Sequence, residues 1–210
     1  MPPITHAKLG ASSAARWLAC PPSADLCERF PDKGSSFAAE GTLAHELAEL
    51  KVRKHFAPMS KTAYTRAYNK IKKDALYTPE MDHVTDDYLE YIKDCAMQYD
   101  AAPSVICEVQ VDFSAYVPGG YGTADCIMLG GGTMRVIDFK YGKGVPVSAE
   151  ENPQMMLYAI GALAQYVSNE SVTNFQPMNV NYGIMRPLDV RIRDKRQRAE
   201  AYAARSLAQF

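Results

Sequence analysis

Residues 121–140 read YGTADCIMLGGGTMRVIDFK. Two runs rich in apolar and β-branched residues, 121–129 and 133–140, flank Gly130-Gly131-Gly132, which is the pattern of two strands joined by a tight hairpin. Upstream, Val105, Cys107, Val109 and Val111 alternate with Ile106, Glu108, Gln110 and Asp112, so 105–113 reads as a half-buried strand. Pro118-Gly119-Gly120 turns it into the next one, and the three strands form a meander.

Helical patterns lie on both sides of the meander. Ser12 or Ser13 can cap a short helix through Trp17 and Cys20, stopped by Pro21 and Pro22. Phe30 to Ser36 reads as loop. Thr42 can cap a helix to about Phe56, with Leu43, Leu47 and Leu50 on one face, and 59–80 reads as irregular or only partly helical. Asp82 to about Asp100 carries Val84, Tyr88, Tyr91, Ile92 and Cys95 at helical spacing. After a loop at 142–147, Asn152 or Glu150 opens a helix to about Val167 with Pro153 in its first turn. Val180 to Met185 reads as a fourth strand, and Asp189 to Phe210 as a basic helix. The pattern predicts one α/β domain over 1–210. A helical part runs to about residue 102, and a sheet core with a mixed central sheet flanked by helices spans about 103–186.

The chain has 210 residues, with 47% apolar and 22% charged residues and a net charge of −1. These values fit a globular domain and argue against a disordered or coiled-coil chain. No run approaches the roughly 18 apolar residues of a membrane helix. The first ten residues lack the apolar core of a signal peptide, so a cytoplasmic protein without membrane contact is expected. Five cysteines without a C-x-x-C pair argue against a disulfide framework or zinc, and predict buried reduced thiols at Cys107 and Cys126.

Charge is distributed unevenly. Eight Lys/Arg and no acids fall in 51–73; ten acids and one Lys fall in 74–112; six bases and two acids fall in 186–198. The basic segments fit either solvated faces or a surface that tracks phosphates, with Lys70, Lys72, Lys73, Arg191 and Arg193 as candidate nucleic-acid contacts. Tyr64 and Tyr68, at i, i+4 spacing within the first run, fit either base stacking or core packing.

The chemistry concentrates at the hairpin. Asp138 and Lys140 lie two apart on one strand, hence on one face, and the hairpin brings Asp125 of Gly122-Thr123-Ala124-Asp125 to the same end of the sheet. Converging carboxylates repel unless a cation lies between them, and oxygen ligands of this kind suit Mg²⁺ or Mn²⁺. A lysine beside such an ion can orient the attacking water and stabilise charge on a phosphorane. Gln154 and Tyr158 share one face of the following helix. His45, on the first turns of the helix after Gly41-Thr42, offers an imidazole well suited to Mn²⁺ beside two carboxylates.

This ordered set, His45, Gly122 with Asp125, Asp138 with Lys140, and Gln154 with Tyr158, resembles the RecB-type branch of the PD-(D/E)XK nuclease superfamily over roughly residues 11–186. The segments SSAARWLACPPS (12–23) and AAEGTLAHELAE (38–49) further resemble a phage- and prophage-associated family of unknown function in that branch. The resemblance implies a restriction-endonuclease-like core and a divalent-metal-dependent deoxyribonuclease, an exonuclease in preference to an endonuclease, acting in phage DNA recombination or processing. DNA is the implied partner, together with phage recombination or replication proteins. His45, Asp125, Asp138 and the Phe139 carbonyl are expected to surround one Mg²⁺ or Mn²⁺, with Asp125, Asp138, Lys140, Gln154 and Tyr158 as the catalytic set. Related exonucleases carry an iron–sulfur cluster on one early and three late cysteines. Cys20 matches the first, but no cysteine follows Cys126, so no cluster is expected here. The other function class that fits is a DNA-binding or protein-interaction module keeping the fold without useful catalysis.

Overall fold

The computed structural model describes residues 7–30, 35–142, 147–166, 172 and 174–182, with 179–182 as backbone only. A mixed four-stranded sheet separates two helical layers. Strands β1 (Ser104–Asp112), β2 (Tyr121–Gly130) and β3 (Thr133–Tyr141) form the antiparallel meander, and β4 (Asn174–Tyr182) adds parallel to β3, giving the order β1-β2-β3-β4. The helices are α1 (Ala14–Ala19), α2 (Ser23–Arg29), α3 (Ser36–Phe56), α4 (Lys61–Ile71), α5 (Pro79–Ala96) and α6 (Pro153–Tyr166). Helix α6 crosses between β3 and β4, as a parallel pair requires.

Each face of the sheet has its own core. Leu43, Leu47 and Leu50 of α3 and Tyr88, Tyr91 and Ile92 of α5 pack on Cys126, Met128, Ile137 and Phe139. On the other face, Met155, Tyr158, Ala159 and Ala162 of α6, with Ala11 and Ala14, pack on Ala124, Ile127, Met134 and Val136. Gly161 sets the depth at which α6 docks. A Cβ there would stand 2.9 Å from Val111 Cβ and 3.1 Å from the Asp112 carbonyl oxygen, closer than side chains tolerate.

Several elements differ from the sequence reading. Residues 61–71 form a full helix, capped by Ser60, whose Oγ accepts from the Ala63 N–H. Its apolar residues Tyr64, Ala67, Tyr68 and Ile71 keep the helical period but are outnumbered by polar and basic neighbours. Helix α2 buries no residue, so no apolar stripe announces it. Helix α3 starts at Ser36, capped by Ser35, and Thr42 instead donates its hydroxyl to the Ala38 carbonyl within the helix. His45 therefore lies mid-helix. Helix α5 starts at Pro79, with Thr78 as its cap, three residues before Asp82. Strand β4 runs over Asn174–Tyr182 and so begins six residues before the expected Val180, while 183–185 lie outside the described residues; Pro177 masks it in sequence and is accommodated on a strand at the end of the strand order. The expected C-terminal basic helix lies outside the described residues, as do Arg191 and Arg193.

Tyr64 and Tyr68 stack on each other at 5.7 Å and pack against the α3/α5 core, which resolves their two readings in favour of packing. Part of the basic run is likewise structural. Lys51 is buried against Asp82 and Asp86, Arg53 pairs with Glu49, and Lys54 donates to the Met59 carbonyl. Cys95 and Cys126 are buried, Cys107 is half-buried, and Cys20 and Cys27 are exposed; all five are free thiols. Among the described residues, no helix is long and apolar enough to cross a membrane.

Candidate active site

The alternation of side chains along β1 and β2 changes phase at one level. Val105 and Cys107 face the α3/α5 core, whereas Val109 and Val111 face the α6 core; on β2, Cys126 and Met128 face the first and Ala124 the second. The pairs Cys107↔Cys126 and Val109↔Ala124 bracket one residue on each strand, Glu108 and Asp125. Glu108 adopts φ 47°, a left-handed conformation that costs a non-glycine residue about 1 kcal/mol or more. That twist turns Glu108 towards α3. On the other side of β2, the regular ladder with β3 reaches Cys126↔Ile137, and Asp125 and Asp138 follow directly beyond it. Asp125 Oδ2 accepts the Phe139 N–H at 2.6 Å, so a side chain takes over where the backbone ladder ends. Glu108, Asp125 and Asp138 thus occupy neighbouring positions on three adjacent strands.

His45 reaches this row from α3. Its Nδ1 lies 3.3 Å from Asp125 Oδ1 and 3.8 Å from Glu108 Oε1, and one ligand atom from each of the three residues falls within 4.8 Å of the others. The imidazole edge rests on the Phe139 ring, with centroids 5.2 Å apart. Burial alone would lower the His45 pKa; the facing Asp125 and Glu108 carboxylates outweigh it and raise it to about 10. Burial and repulsion from Asp125 hold Glu108 above its ordinary value, against the pull of His45.

A second chain of contacts runs on the α6 side. Asp138 is 2% exposed, and its Oδ2 lies 2.8 Å from Lys140 Nζ. Gln154 donates from Nε2 to Asp138 Oδ1 and to the Tyr158 hydroxyl, each at 3.1 Å, and accepts from Lys140 at 3.4 Å. Burial and then the Asp125 charge raise the Asp138 pKa to about 6, against the pull of Lys140. Asn152 fixes the start of α6 by accepting the Gln154 N–H at 2.9 Å, which aims Gln154 at the sheet.

All the expected side chains on α3, β2, β3 and α6 therefore meet in two linked groups. His45 and Asp125 lie with Glu108, while Asp138 and Lys140 lie with Gln154 and Tyr158. Glu108 was not singled out in the sequence. Its strand alternation placed it with Ile106 and Gln110, and only the left-handed twist moves it into the site.

Gly122 belongs to the site through what it lacks. A Cβ there would be 2.8 Å from Tyr158 Cε1 and 3.1 Å from Ala11 Cβ. Gly122→Ala should displace Tyr158 and with it Gln154, costing about 1–3 kcal/mol of stability by overpacking. Thermal unfolding checks this; an unchanged midpoint would show that the Tyr158 ring moves aside freely.

Comparison with known proteins places the chain in a family. A family model described as "Protein of unknown function (DUF2800)" matches residues 6–200. The chain belongs to the DUF2800 family. Short stretches also resemble enzymes named methylenetetrahydrofolate–tRNA-(uracil-5-)-methyltransferase TrmFO. The match is 59% identical over 49 residues for Acetivibrio thermocellus, 55% over 49 for Lactiplantibacillus plantarum and 55% over 51 for Streptococcus pyogenes serotype M2. These matches take in 23–24% of this DUF2800 chain and 11% of each enzyme, so the chain spans about a tenth of the length of those relatives. No solved structure matches the chain.

Proposed function

We propose that this DUF2800 protein is a divalent-metal-dependent deoxyribonuclease built on a RecB-like, restriction-endonuclease-like core. The observation that carries the reading is the position of Gln154. Its one amide contacts Asp138, Lys140 and Tyr158 at once, beside the His45–Asp125 pair, although these residues are spread from position 45 to 158. A buried acid, a lysine and a bridging glutamine at the end of a sheet have no packing reason to converge. They do fit phosphodiester hydrolysis.

The donor set fits a metal. An imidazole and a carboxylate 3.3 Å apart, His45 Nδ1 and Asp125 Oδ1, match two ligands about 2.1 Å from one small ion. His45, Asp125 and Asp138, with the Phe139 carbonyl, would hold Mg²⁺ or Mn²⁺. When bound, the ion supplies Lewis acidity and a water of lowered pKa. Lys140 would orient the attacking water and balance the charge that develops on the phosphorane. Asp138 and Gln154 hold that ammonium in place, and Tyr158 holds the glutamine.

DNA would lie over the exposed cations of the α4 end, Lys70, Lys72 and Lys73. Replacing all three by Gln should weaken DNA binding and flatten its salt dependence, by up to about 2.7 in the slope of log K against log salt for duplex DNA. A slope equal to the wild type would place the DNA elsewhere. The reading as a whole is tested by incubating the purified chain with single- and double-stranded DNA and Mn²⁺ or Mg²⁺. Cleavage that chelation stops supports it. Binding without cleavage across metals and substrates would instead make the chain a DNA-binding module that keeps the fold.

A further inference from the structure

We infer that Glu108 is an additional ligand of the cation, lying beside His45 and Asp125, that the motif set does not contain. The inference rests on the metal-dependent reading above but concerns binding of the ion, not cleavage.

Three observations meet at this residue. The first is placement. Glu108 on β1 and Asp138 on β3 flank Asp125 from its two sides, and Glu108 Oε1 lies 3.8 Å from His45 Nδ1. Ligands about 2.1–2.2 Å from one ion and about 90–120° apart stand about 3.0–3.8 Å from each other, so the three donors need only small rotations to close on it.

The second is conformation. Glu108 holds φ 47° in mid-strand, and its carboxylate faces that of Asp125. Left-handed backbone is unfavourable for a glutamate and does not improve packing; what it achieves is to bring a second carboxylate against His45 and Asp125.

The third is independent of the acids. Tyr88, 2% exposed, lines the small recess that His45, Glu49, Glu108 and Asp125 share. Its buried hydroxyl has no hydrogen-bond partner among the described residues. A buried orphan hydroxyl in a recess that His45, Glu108 and Asp125 also line marks a place where a further polar group belongs.

One imidazole with two or three carboxylates favours Mn²⁺ over Mg²⁺, so Mn²⁺ is the probe. Metal-free protein is titrated with Mn²⁺ by calorimetry and electron paramagnetic resonance. Glu108→Gln keeps the shape and removes the charge; at least a tenfold weaker Mn²⁺ affinity is expected. Glu108→Gly relieves the left-handed strain. It should lose the same affinity while raising the melting temperature of the metal-free protein by about 2–4 °C. That opposite pair of effects separates a ligand from a structural residue, since a structural Glu108 would lose both. Mn²⁺ affinity equal to the wild type in either variant, or no Mn²⁺ binding by the wild type, would overturn the assignment. A wild type that binds Mn²⁺ through Glu108 yet never cuts DNA would leave this ligand standing and remove the nuclease reading. A wild type that cuts, with Glu108→Gln binding Mn²⁺ normally, would do the reverse.

Discussion

Lys140→Ala should lower DNA hydrolysis by about 10²-fold or more while leaving Mn²⁺ binding and the fold nearly intact. The expectation follows from what the ammonium touches. Nζ lies 2.8 Å from the buried Asp138 Oδ2 and 3.4 Å from Gln154 Oε1, and the side chain remains 31% exposed. Held on two sides and open on the third, it can meet a phosphate or a water without reorganising. It is not a ligand, so its loss should spare the ion. Single-turnover cleavage in saturating Mn²⁺, beside a Mn²⁺ titration of the same variant, separates the two effects. Unchanged cleavage would show that Lys140 only neutralises Asp138. Loss of Mn²⁺ binding would show that Lys140 shapes the metal site. Gln154→Ala should act in the same direction but more weakly, because Asp138 still holds the lysine.

The hairpin and the order of the site residues were legible in the sequence because each rests on a local rule. The Gly triplet separates two apolar runs, so Asp125 and Asp138 could be placed on paired strands. Asn152-Pro153 marks the start of α6, so Gln154 and Tyr158 could be placed on its first two turns. What the sequence hid depends on tertiary context. Helix α4 has a helical period, but polar and basic residues around Tyr64, Tyr68 and Ile71 mask it. Strand β4 carries Pro177, which weakens any strand reading, yet its pairing with β3 accommodates it. Glu108 looked like an ordinary outward residue because alternation was assumed to hold through β1. A single left-handed residue breaks that rule and redirects the side chain into the site. The same break makes Val109 and Val111 face α6 after Val105 and Cys107 have faced α3.

Lys51→Ala should destabilise the protein by about 2–3 kcal/mol, although Lys51 lies outside the site. Lys51 is 4% exposed on α3, and its ammonium donates to the Asp82 carbonyl and to Asp86 Oδ1, both at 2.6 Å, and pairs with Asp82 Oδ1 at 2.7 Å. Asp82 Oδ2 in turn accepts the hydroxyls of Tyr68 on α4 and Tyr77 before α5, at 2.6 and 3.0 Å. One carboxylate thus ties α3, α4 and α5 together. Removing one member of a buried pair costs about 3–5 kcal/mol, and the partial exposure of Asp82 and Asp86 reduces that here. The melting temperature should fall by about 4–12 °C.

The pH dependence gives the sign of the interaction. Burial works to raise the Asp82 pKa, but Lys51 and the two tyrosine hydroxyls outweigh it and hold it below the ordinary carboxylate value. Its contribution is therefore present above the unfolded pKa of about 3.9 and is lost as pH falls through the lower folded value. The gap between wild type and Lys51→Ala should be widest near neutral pH and narrow in acid, where Asp82 is protonated in both. Lys51→Met with Asp82→Asn should recover more than half of the loss, because the two tyrosine hydroxyls keep an acceptor and the one carboxylate left without Lys51, Asp86, is exposed to solvent. Denaturant unfolding from pH 7 down to about pH 2 measures all three proteins. A gap independent of pH would mean that Lys51 contributes through its buried methylenes and not through its charge.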